Sequence, residues 1–149
     1  MRYFLIAVFS LLSVKSLAID DVKPFIEFLQ ATAKVTAVAE APFPNAVKFM
    51  AFGKNEAGEV VVAKIWVGDD HWTKNEVKKN IKAIAHFHNS EMDSKPEEAD
   101  FDYPNCSRLY CFVVSNDGGK IWEISINTDG KKYRDVTSTN YGGWQNDQY

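Results

Sequence analysis

The chain has 149 residues, with 17 basic and 20 acidic side chains for a formal charge of −3, and only two cysteines. A mildly acidic chain of this kind does not favour nucleic acid or an anionic membrane as partner. Its length suits a single domain able to bury its own core.

The first 18 residues read as a targeting segment. Arg2 precedes the apolar run 3–14, and Ser16, Leu17 and Ala18 supply a small-x-small cleavage site. The run is shorter than the ~20 residues a membrane span needs, so a cleaved signal peptide is expected rather than an anchor. The expected product is an exported domain, periplasmic or extracellular, covering residues 19–149 with no membrane span. Arg2 and Lys15 leave with the signal, and the charge moves to −5.

In chain order, Asp20 and Asp21 before Pro24 mark a helix start. Val22, Phe25, Ile26, Leu29, Ala33 and Val38 give that helix an apolar face, and Pro42 and Pro44 bar its continuation. Strand-like runs at 46–52 and 59–67 flank the turn-forming segment 53–58 and predict a hairpin. Thr73 and Glu76 have the spacing of a capping box, which predicts a helix over 74–82 with Val77 and Ile81 facing the core. A short apolar strand, 83–88, follows.

Residues 89–105 are polar and proline-containing and read as a long loop with a turn of helix at 96–100. Runs at 109–115 and 120–127 around Asn116, Asp117, Gly118 and Gly119 predict a second hairpin. The tail after Asp129 is expected to be irregular, either a loose end or an aromatic clip. The fold class is therefore α/β of the α+β type, a mixed β-sheet with hairpins flanked by helices. Trp66, Phe87, Phe112 and Trp122 are expected in its core, as is Trp72.

His86 and His88 fall two apart in a predicted strand, so both imidazoles project from one face, as two ligands of one metal must. Asp100 lies twelve residues beyond His88, where a returning loop can supply an oxygen ligand. Two histidines and a carboxylate leave a fourth tetrahedral position for water. Cys106 and Cys111 admit a local disulfide, and geometry rather than spacing decides whether it forms. His71 reads as a surface histidine beside a packed tryptophan, with a role at the metal as the alternative. Glu91, Asp93, Glu97 and Glu98 form an acidic loop around the candidate site, either a solvated face or one that favours basic substrate groups or holds a metal more tightly. No glycine-rich phosphate loop and no Gly-x-Ser-x-Gly elbow is present.

The order of strand ending His86-Phe87-His88-Asn89, proline-containing loop, Pro96-Glu97-Glu98-Ala99-Asp100 and strand hairpin resembles the JAB/MPN (JAMM) metalloprotease family, over roughly 46–127. The resemblance implies zinc held by His86, His88 and Asp100, and hydrolysis of peptide or isopeptide bonds with an upstream glutamate as general base. Glu40 is the nearest upstream candidate, with Glu56 and Glu59 on the far side of the first strand. Asn89 stands at the family's proline position and Glu97 at its serine position, the oxyanion-stabilising one. These departures motivate an alternative: a non-catalytic exported binding or inhibitory protein, of immunity type, on the same fold.

Overall fold

The computed structural model describes residues 21–39, 48–67, 81–88, 95–102, 106, 108–128 and 130–146. The expected signal peptide, Glu40, His71, Trp72 and most of the expected second helix lie outside these residues. One helix, α1 (Lys23–Ala39), precedes seven strands: β1 (Lys48–Lys54), β2 (Val60–Val67), β3 (Ile81–Phe87), β4 (Tyr110–Val114), β5 (Ile121–Asn127), β6 (Gly130–Asp135) and β7 (Gln145–Asn146). A short 3-10 helix, Glu98–Asp102, lies between β3 and β4, two residues later than the expected turn.

The strands form one mixed sheet in the order β2-β1-β3-β4-β5-β6-β7. Both expected hairpins are present as antiparallel pairs, β1 with β2 and β4 with β5. Ile81 and Lys82, expected at a helix end, open β3 instead. A register shift opposite Phe52 and Gly53 leaves Lys82 exposed and turns Ile81 into the core. Among the described strand pairs, β3 and β4 alone are parallel. Parallel neighbours need a long crossover, and the connection from Phe87 to Tyr110 serves as one.

The two faces of the sheet are covered differently, and strand alternation assigns the side chains. On one face Met50, Phe52, Ala83, Ala85, Phe87, Phe112 and Val114 pack against Phe25, Ile26, Leu29 and Ala33 of α1. On the other, Phe49, Ala51, Ile84, Cys111, Val113 and Ile124 pack against Phe101 and Cys106 of the crossover. The central strands are buried on both sides, which is why their sequences are nearly continuous apolar runs. Phe87 and Phe112 are core residues as expected, whereas Trp122 is half-buried and packs at the margin.

The last turn of α1 contains no basic residue. Lys48 of β1 supplies the charge from outside the helix: its Nζ donates to Thr36 O at 3.1 Å and Ala37 O at 2.7 Å, next to terminal carbonyls that carry partial negative charge.

After Asp129, 130–135 form a strand that was not expected and 145–146 a short one, whereas 136–144 between them are irregular as expected. β6 pairs with β5 along its whole length and carries Tyr133 into the core. Arg134, on the opposite face, gives Glu123 Oε1 two hydrogen bonds, from Nε at 2.8 Å and Nη2 at 2.7 Å. Its guanidinium carbon lies 5.1 Å from the Tyr141 ring centre and 4.6 Å from that of Trp144, an aromatic clip that closes the C-terminal segment over the sheet.

Burial pushes the Glu123 carboxyl above its ordinary range, and the Arg134 charge opposes that rise. An acid with a raised folded-state pKa favours folding below its ordinary value, and loses that contribution as pH rises through the folded value. Arg134→Met removes the opposing charge, so its destabilisation is expected to be about 3–5 kcal/mol near neutral pH. The loss should shrink in acid, where Glu123 is neutral. Urea unfolding at both pH values checks this, and a pH-independent loss would contradict it.

Candidate metal centre

His86 is the sixth residue of β3, opposite Phe49 of β1 and Val113 of β4. The main chain continues the parallel ladder one residue beyond the strand, with His88 N–H donating to Val114 O at 2.8 Å. This extension keeps His88 in strand register with His86, so both rings project from the face opposite α1. Their centroids are 5.3 Å apart and the rings are nearly perpendicular. Phe49 supports the His86 ring at 5.1 Å.

Asp100 meets them from above, out of the 3-10 helix of the crossover. His86 Nε2 lies 3.2 Å from Oδ1 and His88 Nε2 lies 3.1 Å from Oδ2. A third donor, the Glu97 main-chain N–H, reaches Oδ2 at 2.8 Å. All three side chains are nearly enclosed, with 10%, 11% and 7% of their surfaces exposed for His86, His88 and Asp100. Next to Asp100, Phe101 is buried among Ile84, Cys106 and Cys111 and seats the turn on the sheet.

Burial acts to raise the Asp100 pKa, but hydrogen bonds from His86, His88 and the Glu97 amide, with the His86 charge, hold it well below the usual carboxylate range. Asp100 is therefore an anion under ordinary conditions, and an ionised carboxylate only accepts hydrogen bonds. Both Nε2 atoms are donors in this arrangement. A cation bound among the three groups needs the same two nitrogens as lone-pair donors, so each neutral imidazole would carry its proton on Nδ1 instead.

The three residues offer one ligand atom each within 4.8 Å of one another, and the group is able to bind a metal ion. Zinc–nitrogen and zinc–oxygen bonds of ~2.0–2.2 Å place tetrahedral ligand atoms roughly 3.3 Å apart. The histidine–carboxylate separations of 3.1 and 3.2 Å run to different carboxylate oxygens and are hydrogen-bond lengths, and one ligand atom from each residue lies within 4.8 Å of the others. Two imidazole nitrogens with one carboxylate oxygen are a donor set that several divalent transition metals accept.

Cys106 and Cys111 form a disulfide, with 5.5 Å between their Cα atoms. It lines a cavity of about 10 Å³ together with Phe49, Ile84, His86 and Asp100, a space that holds no more than about one water.

Of the candidate bases, Glu40 lies outside the described residues, and Glu56 and Glu59 are not gathered at this site. Glu56 and Glu59 belong to the β1–β2 turn, where the Glu59 N–H donates to Asn55 Oδ1. That turn follows Lys54, at the opposite end of β1 from the Phe49–His86 pair. Neither residue is placed to accept a proton beside His86 and His88. Glu97 is exposed, and its main chain rather than its side chain serves Asp100. Sequence reasoning missed Phe49, Phe101 and the Glu97 amide as supports, because each acts through tertiary position and carries no motif.

No family model matches this chain, and no curated protein or solved structure does. What the site can do is therefore argued from its own atoms. No helix among the described residues is long and apolar enough to cross a membrane.

Proposed function

We propose that this chain is an exported zinc-binding domain of JAB/MPN-like type, a metallohydrolase in its ligand set, acting on peptide or isopeptide bonds. The observation that carries this reading is the convergence of both Nε2 atoms, from one strand face, on the Asp100 carboxylate. Bound there, zinc would supply Lewis acidity and a water acidic enough to act as nucleophile near neutral pH.

The chain's own residues have separate parts in this reading. His86 and His88 would hold the ion from one strand face, since β3 and the Val114 hydrogen bond fix the main chain that carries both rings. Asp100 neutralises one charge of the cation. Phe49 and Ile84 give the inner side an apolar lining. Glu97 brings a carboxylate to the position where the JAB/MPN pattern has a neutral hydroxyl, so a developing oxyanion would gain repulsion instead of a donor.

Two observations favour a second reading, a non-catalytic exported binding or inhibitory protein stabilised by its metal. The ligands are at least about nine-tenths enclosed, and Glu56 and Glu59 sit at the far end of β1. The two readings separate in one experiment. Full-length protein purified without chelator is assayed for zinc and for cleavage of unfolded polypeptide and isopeptide-linked substrates, beside His86→Ala/His88→Ala. About one zinc per chain, lost in the variant and accompanied by zinc-dependent cleavage, is expected for the hydrolase. Zinc without cleavage selects the binding protein, and absence of zinc in both proteins overturns the metal site.

A further inference from the structure

We propose that the Cys106–Cys111 disulfide is a positioning element of the metal centre: it sets the metal affinity of His86, His88 and Asp100 by pinning the Asp100-bearing crossover to the sheet. This rests on the reading of those three residues as a metal site.

The crossover is tied to β4 at both ends. At its start, His88 N–H is bonded to Val114 O. At its finish, Cys106 is bonded to Cys111, which stands in register with Ile84 of β3. Ile84 and His86 share one face of β3, so the disulfide sits one side-chain row from the first histidine. Both sulfur-bearing residues are buried, at 7% and 1% exposure, and they line the same small cavity as His86 and Asp100.

Between these tethers, Asp100 is fixed mainly by local bonds. Its amide donates to Glu97 O at 3.0 Å and its carboxylate accepts from the Glu97 amide. Such bonds shape the turn without attaching it to the sheet. Among the described residues, attachment comes from Phe101 packing, from the two imidazoles, from Lys95 over the Tyr133 ring and Lys131 over the Phe101 ring, and from the disulfide at Cys106. Opening the disulfide releases the finish of the crossover, and a metal ion must then order the segment as it binds. Coupling of this kind is reciprocal, so bound metal makes the disulfide harder to reduce by the same factor.

The test uses the full chain. Zinc affinity is measured by chelator competition for the oxidised protein and for Cys106→Ala/Cys111→Ala, with urea unfolding run alongside to show that the variant is folded. Affinity is expected to fall by about tenfold, within the ~5–150-fold usual for such couplings.

A second readout needs no substitution. In the oxidised protein, a dithiol reagent delivers two electrons and two protons to the two sulfurs and itself becomes a cyclic disulfide. With zinc bound, the midpoint of that exchange should become about 30 mV more negative, the equivalent of tenfold for a two-electron couple. Equal zinc affinities in two folded proteins, or an unmoved midpoint, overturn this inference alone. Failure of the oxidised protein to bind zinc overturns the metal reading and the inference together.

Discussion

Gly118→Ala should destabilise the protein by about 2–5 kcal/mol, through two penalties that act at the same atom. Gly118 lies in the β4–β5 turn with φ +75°, a backbone conformation that costs a residue with a side chain roughly 1–2 kcal/mol. The turn also presses on α1: a Cβ at Gly118 would come within 2.6 Å of the Ala33 carbonyl carbon and oxygen and the Lys34 nitrogen. Helix backbone cannot yield as a flexible side chain does, so the clash must be relieved by moving α1 off the sheet. Gly58 provides the control, since it has φ +81° with nothing within 4 Å of its Cβ position. Gly58→Ala should therefore show only the conformational penalty. Urea unfolding of both variants separates the terms, and equal losses would mean that the contact with α1 does not hold the turn.

Asp100→Ala should abolish zinc binding, weakening it by at least about a hundredfold, since even outer-shell partners of metal ligands cost ~10–100-fold. Asp100→Asn keeps the shape and one oxygen but removes the anion, so it should retain weak binding at best. The substitutions also act without metal. Both imidazoles and the Glu97 amide lose the carboxylate they now share, and hydrogen bonds to a charged group contribute about 1.5–3 kcal/mol each. Calorimetric zinc titration with urea unfolding of the metal-free proteins measures the two effects separately. Undiminished zinc affinity in Asp100→Ala would remove Asp100 from the ligand set.

How much of this was legible in the sequence depended on how local each signal was. The α1 face was readable because Phe25, Ile26, Leu29 and Ala33 recur at helical spacing, and all four are buried. The histidine pair was readable because strand alternation alone puts His86 and His88 on one face. Asp100 was found through the resemblance and through loop length, and tertiary structure brings it to the histidines.

β6 was missed for a physical reason. Near a sheet margin only Tyr133 needs to be inside, so Lys131, Lys132, Arg134 and Asp135 hide the strand behind a charged composition. The Asp129-Gly130 pair was the available clue, a dipeptide suited to a tight hairpin, and Gly130 has φ +111°. Parallel pairing of β3 with β4 left no comparable trace. Nothing in either strand's sequence names its neighbour, and the disulfide's formation likewise depended on where β4 placed Cys111.

That parallel pairing bears on when the site comes into being as the chain folds. The hairpins β1–β2 and β4–β5 join residues close in sequence and close cheaply, whereas β3 can meet β4 only after the whole crossover has been drawn into a loop. A chain with both hairpins formed and β4 undocked already has its two histidines and still has no Asp100 beside them. Metal capture at the proposed site would thus report the closing of this crossover, and a metal-sensitive probe followed during refolding would time the docking of β4 on β3.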